Sequence, residues 1–139
     1  MKYKVAGLIS LLAVLISIVS CESEADLDFK RYYSEGSEVY QTHCQNCHGA
    51  KGDGLSALIP PLTDSLYLKN NQSNLACYLR SGLTGTITIH GKTFDDKMPA
   101  ADLAPMEMAQ VLTYINNSFG NKLGVITIDR VNADLKSCK

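Results

Sequence analysis

The 139-residue sequence has no tryptophan, only four prolines and three histidines, and charged side chains make up 19% of it. Neither sign of charge dominates: 13 Lys and Arg stand against 14 Asp and Glu, a net charge of -1. Without a basic excess there is no electrostatic footprint for nucleic acid. The length allows one domain with a modest core and rules out a large multidomain enzyme. There is no internal repeat or low-complexity tract, and no Ser/His/Asp or paired-carboxylate arrangement suited to catalysis. Asp95-Asp96 is the sole adjacent acidic pair, and a solvated loop accounts for it better than acid–base chemistry. Only one long apolar run occurs, Val5 to Val19, interrupted by Gly7, Ser10 and Ser17. It is shorter than the roughly 20 residues that a spanning helix needs.

That run nevertheless carries information. Lys2 and Lys4 precede it, Ser20 and Cys21 close it, and Glu22, Glu24, Asp26 and Asp28 follow. A basic start, a short apolar core and a small residue at the break describe an export signal over residues 1–20. The ending Ile18-Val19-Ser20-Cys21 resembles the bacterial lipobox, in which the cysteine is lipidated and becomes the new N-terminus. An ordinary signal peptide with a coincidental cysteine is the alternative. Cleavage before Cys21 would remove two lysines, leaving 11 basic against 14 acidic side chains and a charge of -3. Export places the domain in an oxidising compartment, and two or more lipid chains would hold it stably on a membrane.

Residues 21–33 then read as an acidic tether without apolar periodicity, and the folded domain as residues 34–139. Val39, Tyr40, Cys44, Cys47 and His48 suggest a helical face that stops at Gly49, and residues 49–66 read as loop. Leu75 to Leu79 predict a second helix ending at Gly82, and Thr86 to Ile89 alternate like a very short strand. Asp102 is a candidate cap for a third helix with Pro105 in its first turn and an apolar stripe of Met108, Val111, Leu112 and Ile115. A last short helix is expected from Asp129 to Lys136.

Cys44-Gln45-Asn46-Cys47-His48 carries the chemistry. Two thiols one helical turn apart can each add to a vinyl group on one porphyrin edge, and the next histidine can then reach the iron. A thioredoxin-like redox pair has no need of that histidine and sits in a βαβ context, which this pattern lacks. Half a zinc site would need two further clustered ligands, whereas Cys77 and Cys138 are single and distant.

From about Gly36 to Asn121 the sequence resembles the class I monohaem cytochromes c. Gly36 and Tyr40 match the crossing of that family's first and last helices. Cys44 to Gly49, then Gly52 and Gly54, match its attachment motif and glycine-rich continuation. Pro60, twelve residues after His48, matches the proline whose carbonyl accepts the axial imidazole N–H, and Lys97-Met98-Pro99 matches the distal methionine. Tyr114 falls on the counterpart of the last major helix. The resemblance implies an all-α cytochrome c fold of short helices and long loops around one covalent haem c. Cys44 and Cys47 would form the thioethers, and His48 and Met98 would be the axial iron ligands.

Met106 and Met108 compete with Met98 but lie on a predicted helix, where methionine is commonly core filler. His43 reads as surface, and His90 as an exposed turn residue, with a bis-histidine site as the rival arrangement. Two filled axial positions leave no open iron site, which implies an electron carrier between redox proteins (oxidase, reductase or dehydrogenase) and not an enzyme. A haem-based gas sensor, a peroxidase and the haem subunit of a larger redox enzyme are the alternatives. The lysine ring of the family's familiar carriers is not reproduced: Lys51, Lys92 and Lys97 are interspersed with Asp53, Asp95 and Asp96. Once Cys21 is assigned to lipid and two cysteines to haem, Cys77 and Cys138 remain, either as a disulfide or as two separate thiols.

Overall fold

The computed structural model describes Val5, Gly7 and residues 23–138. The expected signal segment and Cys21 therefore lie outside the described residues, Val5 and Gly7 apart. Six helices account for most of the regular structure among the described residues: α1 (Glu24–His43), α2 (Gln45–His48), α3 (Ser65–Asn70), α4 (Leu75–Ser81), α5 (Pro105–Asn117) and α6 (Ile128–Lys136). Two three-residue strands, β1 (Ile87–Ile89) and β2 (Lys92–Phe94), complete it. The all-α expectation holds. Among the described residues no helix is long and apolar enough to cross a membrane.

From Ser23 onward, the first helix corrects the reading of residues 21–33 as a tether. Ser23 caps α1, its hydroxyl oxygen accepting the Asp26 N–H at 3.2 Å, and Glu24 and Asp26 suit the positive end of the helix. The helix then runs unbroken to His43. Its buried face is Tyr32, Gly36 and Tyr40, spaced four residues apart, and it lies along α5. Phe29 stacks on Tyr33 at 5.7 Å, and Tyr33 packs on Tyr114 of α5 at 5.1 Å. Each such aromatic pair contributes roughly 0.5–1.5 kcal/mol beyond its buried area. The aromatic residues hidden among the acids thus draw the segment into the fold, so the folded unit begins before Ser34. Gly36 permits the crossing: a Cβ there would fall onto the Gln110 carbonyl.

Other local boundaries follow from identifiable forces. The cap of α5 is Ala104 rather than Asp102, because Pro105 drives its predecessor out of the helical region, to φ -67° and ψ 155°. The Glu107 carboxylate accepts the Ala104 N–H at 2.7 Å. Asp64 caps α3, a short helix inside and beyond the expected 49–66 loop. The expected strand pairs antiparallel with Lys92–Phe94, a partner the sequence reading did not contain. The turn between them places His90 at φ +49° and Gly91 at φ +74°, as a two-residue hairpin with a mirror-image turn requires.

The core gathers Tyr40, Leu68, Leu75, Leu79, Met108, Val111, Leu112, Ile115 and Val131 between α1, α4, α5 and α6. Thr113 both donates to and accepts from the backbone of Ile126, at 3.2 and 2.9 Å, which fastens the chain ahead of α6 onto α5. Cys77 of α4 and Cys138, just beyond α6, form a disulfide with a Cα–Cα distance of 5.5 Å.

Candidate functional site

The Cys44–His48 segment sits where α1 ends. Cys44 adopts φ -119°, which separates α1 from the single turn of α2, and Gly49 ends α2 at φ +78°. That turn is fixed from two sides. The Tyr40 hydroxyl donates to the Gly49 carbonyl at 2.7 Å, and the Gly54 N–H donates to the His48 carbonyl at 2.9 Å. Cys44 and His48 are buried, while Cys47 is exposed. Both thiols are unpaired. Burial, helped by the neighbouring Cys47, pushes the Cys44 thiol up to about 11. A thioredoxin-like pair needs the opposite, a thiol whose pKa is lowered. Since Cys77 and Cys138 are bonded to each other, they do not complete a zinc site with this pair.

His48 Nδ1 lies 3.1 Å from the Pro60 carbonyl. A carbonyl only accepts, so Nδ1 carries the proton and Nε2 keeps its lone pair. Burial lowers the pKa of His48, and the bond to Pro60 partly opposes it. A buried neutral imidazole anchored at Nδ1 is the form that ligates a metal.

A cleft of about 690 Å³, partly open to solvent, lies against these groups. It is lined by Cys44, His48 and Pro60 and, from the later loop and hairpin, by Leu83, Ile87, Ile89 and Met98. A second, adjoining space of about 530 Å³ is bordered by Cys47 and again by His48, Pro60, Leu83, Ile87 and Met98. Apart from His48, the thiol and the thioether, the polar side chains lining the larger cleft are the phenols of Tyr67 and Tyr78. Burial, with Tyr78 as neighbour, pushes the Tyr67 phenol up to about 12, so it stays a neutral donor. Two adjoining apolar spaces that share one imidazole and one thioether, with one thiol bordering each, fit a haem.

The structure brings together Cys44, Cys47, His48, Pro60 and Met98. Met98 is held by its backbone: its N–H and carbonyl pair with those of Leu83, each at 3.0 Å. Gly82, at φ +76°, lets that loop pass, since a Cβ there would meet the Met98 carbonyl. The competing residues stand elsewhere. Met108 is buried in the core and Met106 is exposed, and neither borders the cleft. His43 ends α1 on the surface. His90 occupies the hairpin turn, with its ring 3.6 Å from the Asp64 carboxylate and 3.3 Å from the Thr63 hydroxyl. Of the charged residues expected near the haem edge, Asp96 and Lys97 border the second space.

Sequence reasoning missed two parts of this site. The hairpin supplies Ile87 and Ile89 as a wall, a role that the alternation of Thr86 to Ile89 hinted at without locating. Tyr67 lay in a stretch given no element, though Asp64 followed by Leu66 and Leu68 is a legible helix start.

A comparison with known families agrees with this chemistry. Residues 33–119 match the family model described as Cytochrome c, which spans more than half of the chain. Among curated proteins none matches the chain. Domains of the matched family bind haem c covalently, typically one per domain, and generally serve as electron carriers. By fold, cleft and family match, the chain belongs to the cytochrome c family.

Proposed function

We propose that this protein is a membrane-tethered, single-haem electron carrier in a respiratory chain, with Cys44 and Cys47 as the thioether attachments and His48 and Met98 as axial ligands. The observation that carries this reading is that His48 and Met98 border the same two spaces as the unpaired thiols. The bound haem would supply the one-electron iron couple. His48, with Nδ1 committed to Pro60, would present a basic Nε2 to the metal. Met98 would offer a soft thioether, which favours the ferrous state and raises the potential relative to a second histidine. Leu83, Ile87, Leu112 and Ile115 would exclude water and hold the surroundings rigid.

Two protein ligands leave no position for a substrate, which separates a carrier from a gas sensor or a peroxidase. Carbon monoxide added to the reduced protein tests this. Slow or absent binding is expected, and rapid binding would favour the sensor. Redox partners (an oxidase, reductase or dehydrogenase) would dock weakly over a small area, since a carrier must leave again. Service as the haem subunit of a larger enzyme would change the partner and not the chemistry.

Lipidation of Cys21 would hold the domain on a bacterial membrane, in the periplasm or at the cell surface. The support is the basic, apolar, small-residue order of residues 1–21. In a producing bacterium, Cys21→Ser should move the protein from the membrane fraction to the soluble fraction. Retention in the membrane would sink the lipid reading.

A further inference from the structure

The Asn121 side chain is 2% exposed and fully bonded. Its Nδ2 donates to the Leu62 carbonyl at 2.8 Å and to the Ile115 carbonyl at 2.9 Å, and its Oδ1 accepts from the Ser65 hydroxyl at 2.6 Å. Two carbonyls demand the NH₂ end of the amide, so its orientation is fixed by chemistry. The bonds tie three elements together: the end of α5, the first residue of α3, and the loop that follows Pro60.

Leu62 is the significant partner. Its N–H donates to the Gly52 carbonyl at 2.7 Å while its carbonyl is taken by Asn121, so its backbone is held from both sides. Only Pro61 separates it from Pro60, whose carbonyl faces His48 Nδ1 at 3.1 Å. Between the Pro60 carbonyl and Leu62, Pro61 has its φ locked, so less of a displacement at Leu62 is absorbed before it reaches that carbonyl.

We propose that Asn121 is a positioning residue for the axial imidazole, setting the His48–Pro60 hydrogen bond through Leu62 and thereby the potential of the bound haem. This rests on the reading of His48 as an iron ligand. A strong Nδ1–H···O bond makes the imidazole more basic and favours ferric iron. Loosening that bond therefore raises the potential.

The test compares holoprotein carrying Asn121→Leu, which keeps bulk and loses both donors, with Ser65→Ala, which leaves both donors in place. Two quantities are measured: hydrogen exchange at His48 Nδ1 by nuclear magnetic resonance, and the reduction potential. Asn121→Leu should speed exchange roughly tenfold, the factor given by losing one ordinary hydrogen bond, and should raise the potential. Ser65→Ala should move both less. Unchanged exchange and potential, with only a lower unfolding midpoint, would overturn the proposal. If the leucine variant does not fold, Asn121→Ser is judged by the same two readouts. In the parent protein, absence of a haem-shifted His48 Nδ1–H would instead defeat the ligand reading, so the two failures are distinguishable.

Discussion

Leu83 and Met98 hydrogen-bond to each other in both directions through their backbones, so the loop bearing the methionine is secured without help from its side chain. Met98→Ala should therefore leave the fold intact while removing the proposed thioether ligand. The expected outcome is loss of the six-coordinate His–Met spectrum, rapid carbon monoxide binding to the reduced form and a changed potential. A spectrum unchanged from the parent would place the ligand elsewhere.

Gly36 meets the Gln110 carbonyl where α1 crosses α5. Backbone is a neighbour that cannot turn aside, so Gly36→Ala forces the two helices apart. A cost of about 1–3 kcal/mol is expected from overpacking, read as a lower urea midpoint, with Gly36→Val worse.

The Cys77–Cys138 bridge spans a sequence separation of 61. In the chain-entropy account, losing such a closure costs roughly 4 kcal/mol. The Cys77→Ser/Cys138→Ser double variant should show a correspondingly lower melting temperature. Alkylation of the unfolded, non-reduced holoprotein should count no free thiol at either position.

Asp64 accepts the Tyr67 N–H at 3.0 Å, and this bond chiefly holds its carboxyl below the ordinary carboxylate pKa, with further help from His90. A depressed folded pKa gives stability that is present above the unfolded value, about 3.9, and lost as pH falls through the folded one. Asp64→Ala should cost about 1 kcal/mol at neutral pH, the usual worth of a helix cap, and the gap from the parent should close in acid. A difference constant down to pH 2 would contradict this assignment.

Asn116 is the counterpart of Asn121 without its bonds. It is fully buried, and neither side-chain polar atom has a hydrogen-bond partner among the described residues. A buried unpaired amide costs about 1–3 kcal/mol, so Asn116→Leu should raise stability wherever the added methyls fit. Denaturant unfolding checks the sign directly.

The difference between Asn116 and Asn121 shows what sequence conveys here and what it does not. Cys44, Cys47 and His48 were legible because their chemistry is written within five residues. Pro60 and Met98 were legible through family resemblance, and the family match bears out the covalent haem and the all-α fold. Asn121 was not legible, because its meaning depends on Leu62, Ser65 and Ile115, which only folding brings to it. The first helix was misread for another reason. Its acids dominate the local composition, while Phe29, Tyr32, Tyr33 and Gly36 mark a helical face only when read at intervals of three and four. At Ala104 a proline's steric demand outranked the better capping chemistry of Asp102.

That helix has a mechanical consequence. From Glu24 to His43 it is 20 residues, about 30 Å at 1.5 Å per residue, and its aromatic grip on the domain begins at Tyr32 and Tyr33. Only Glu22 and Ser23 separate Cys21 from its first turn. A lipid at Cys21 would thus hold the domain by the exposed opening turns of α1, Glu24 to Asp28, rather than by a long unstructured leash.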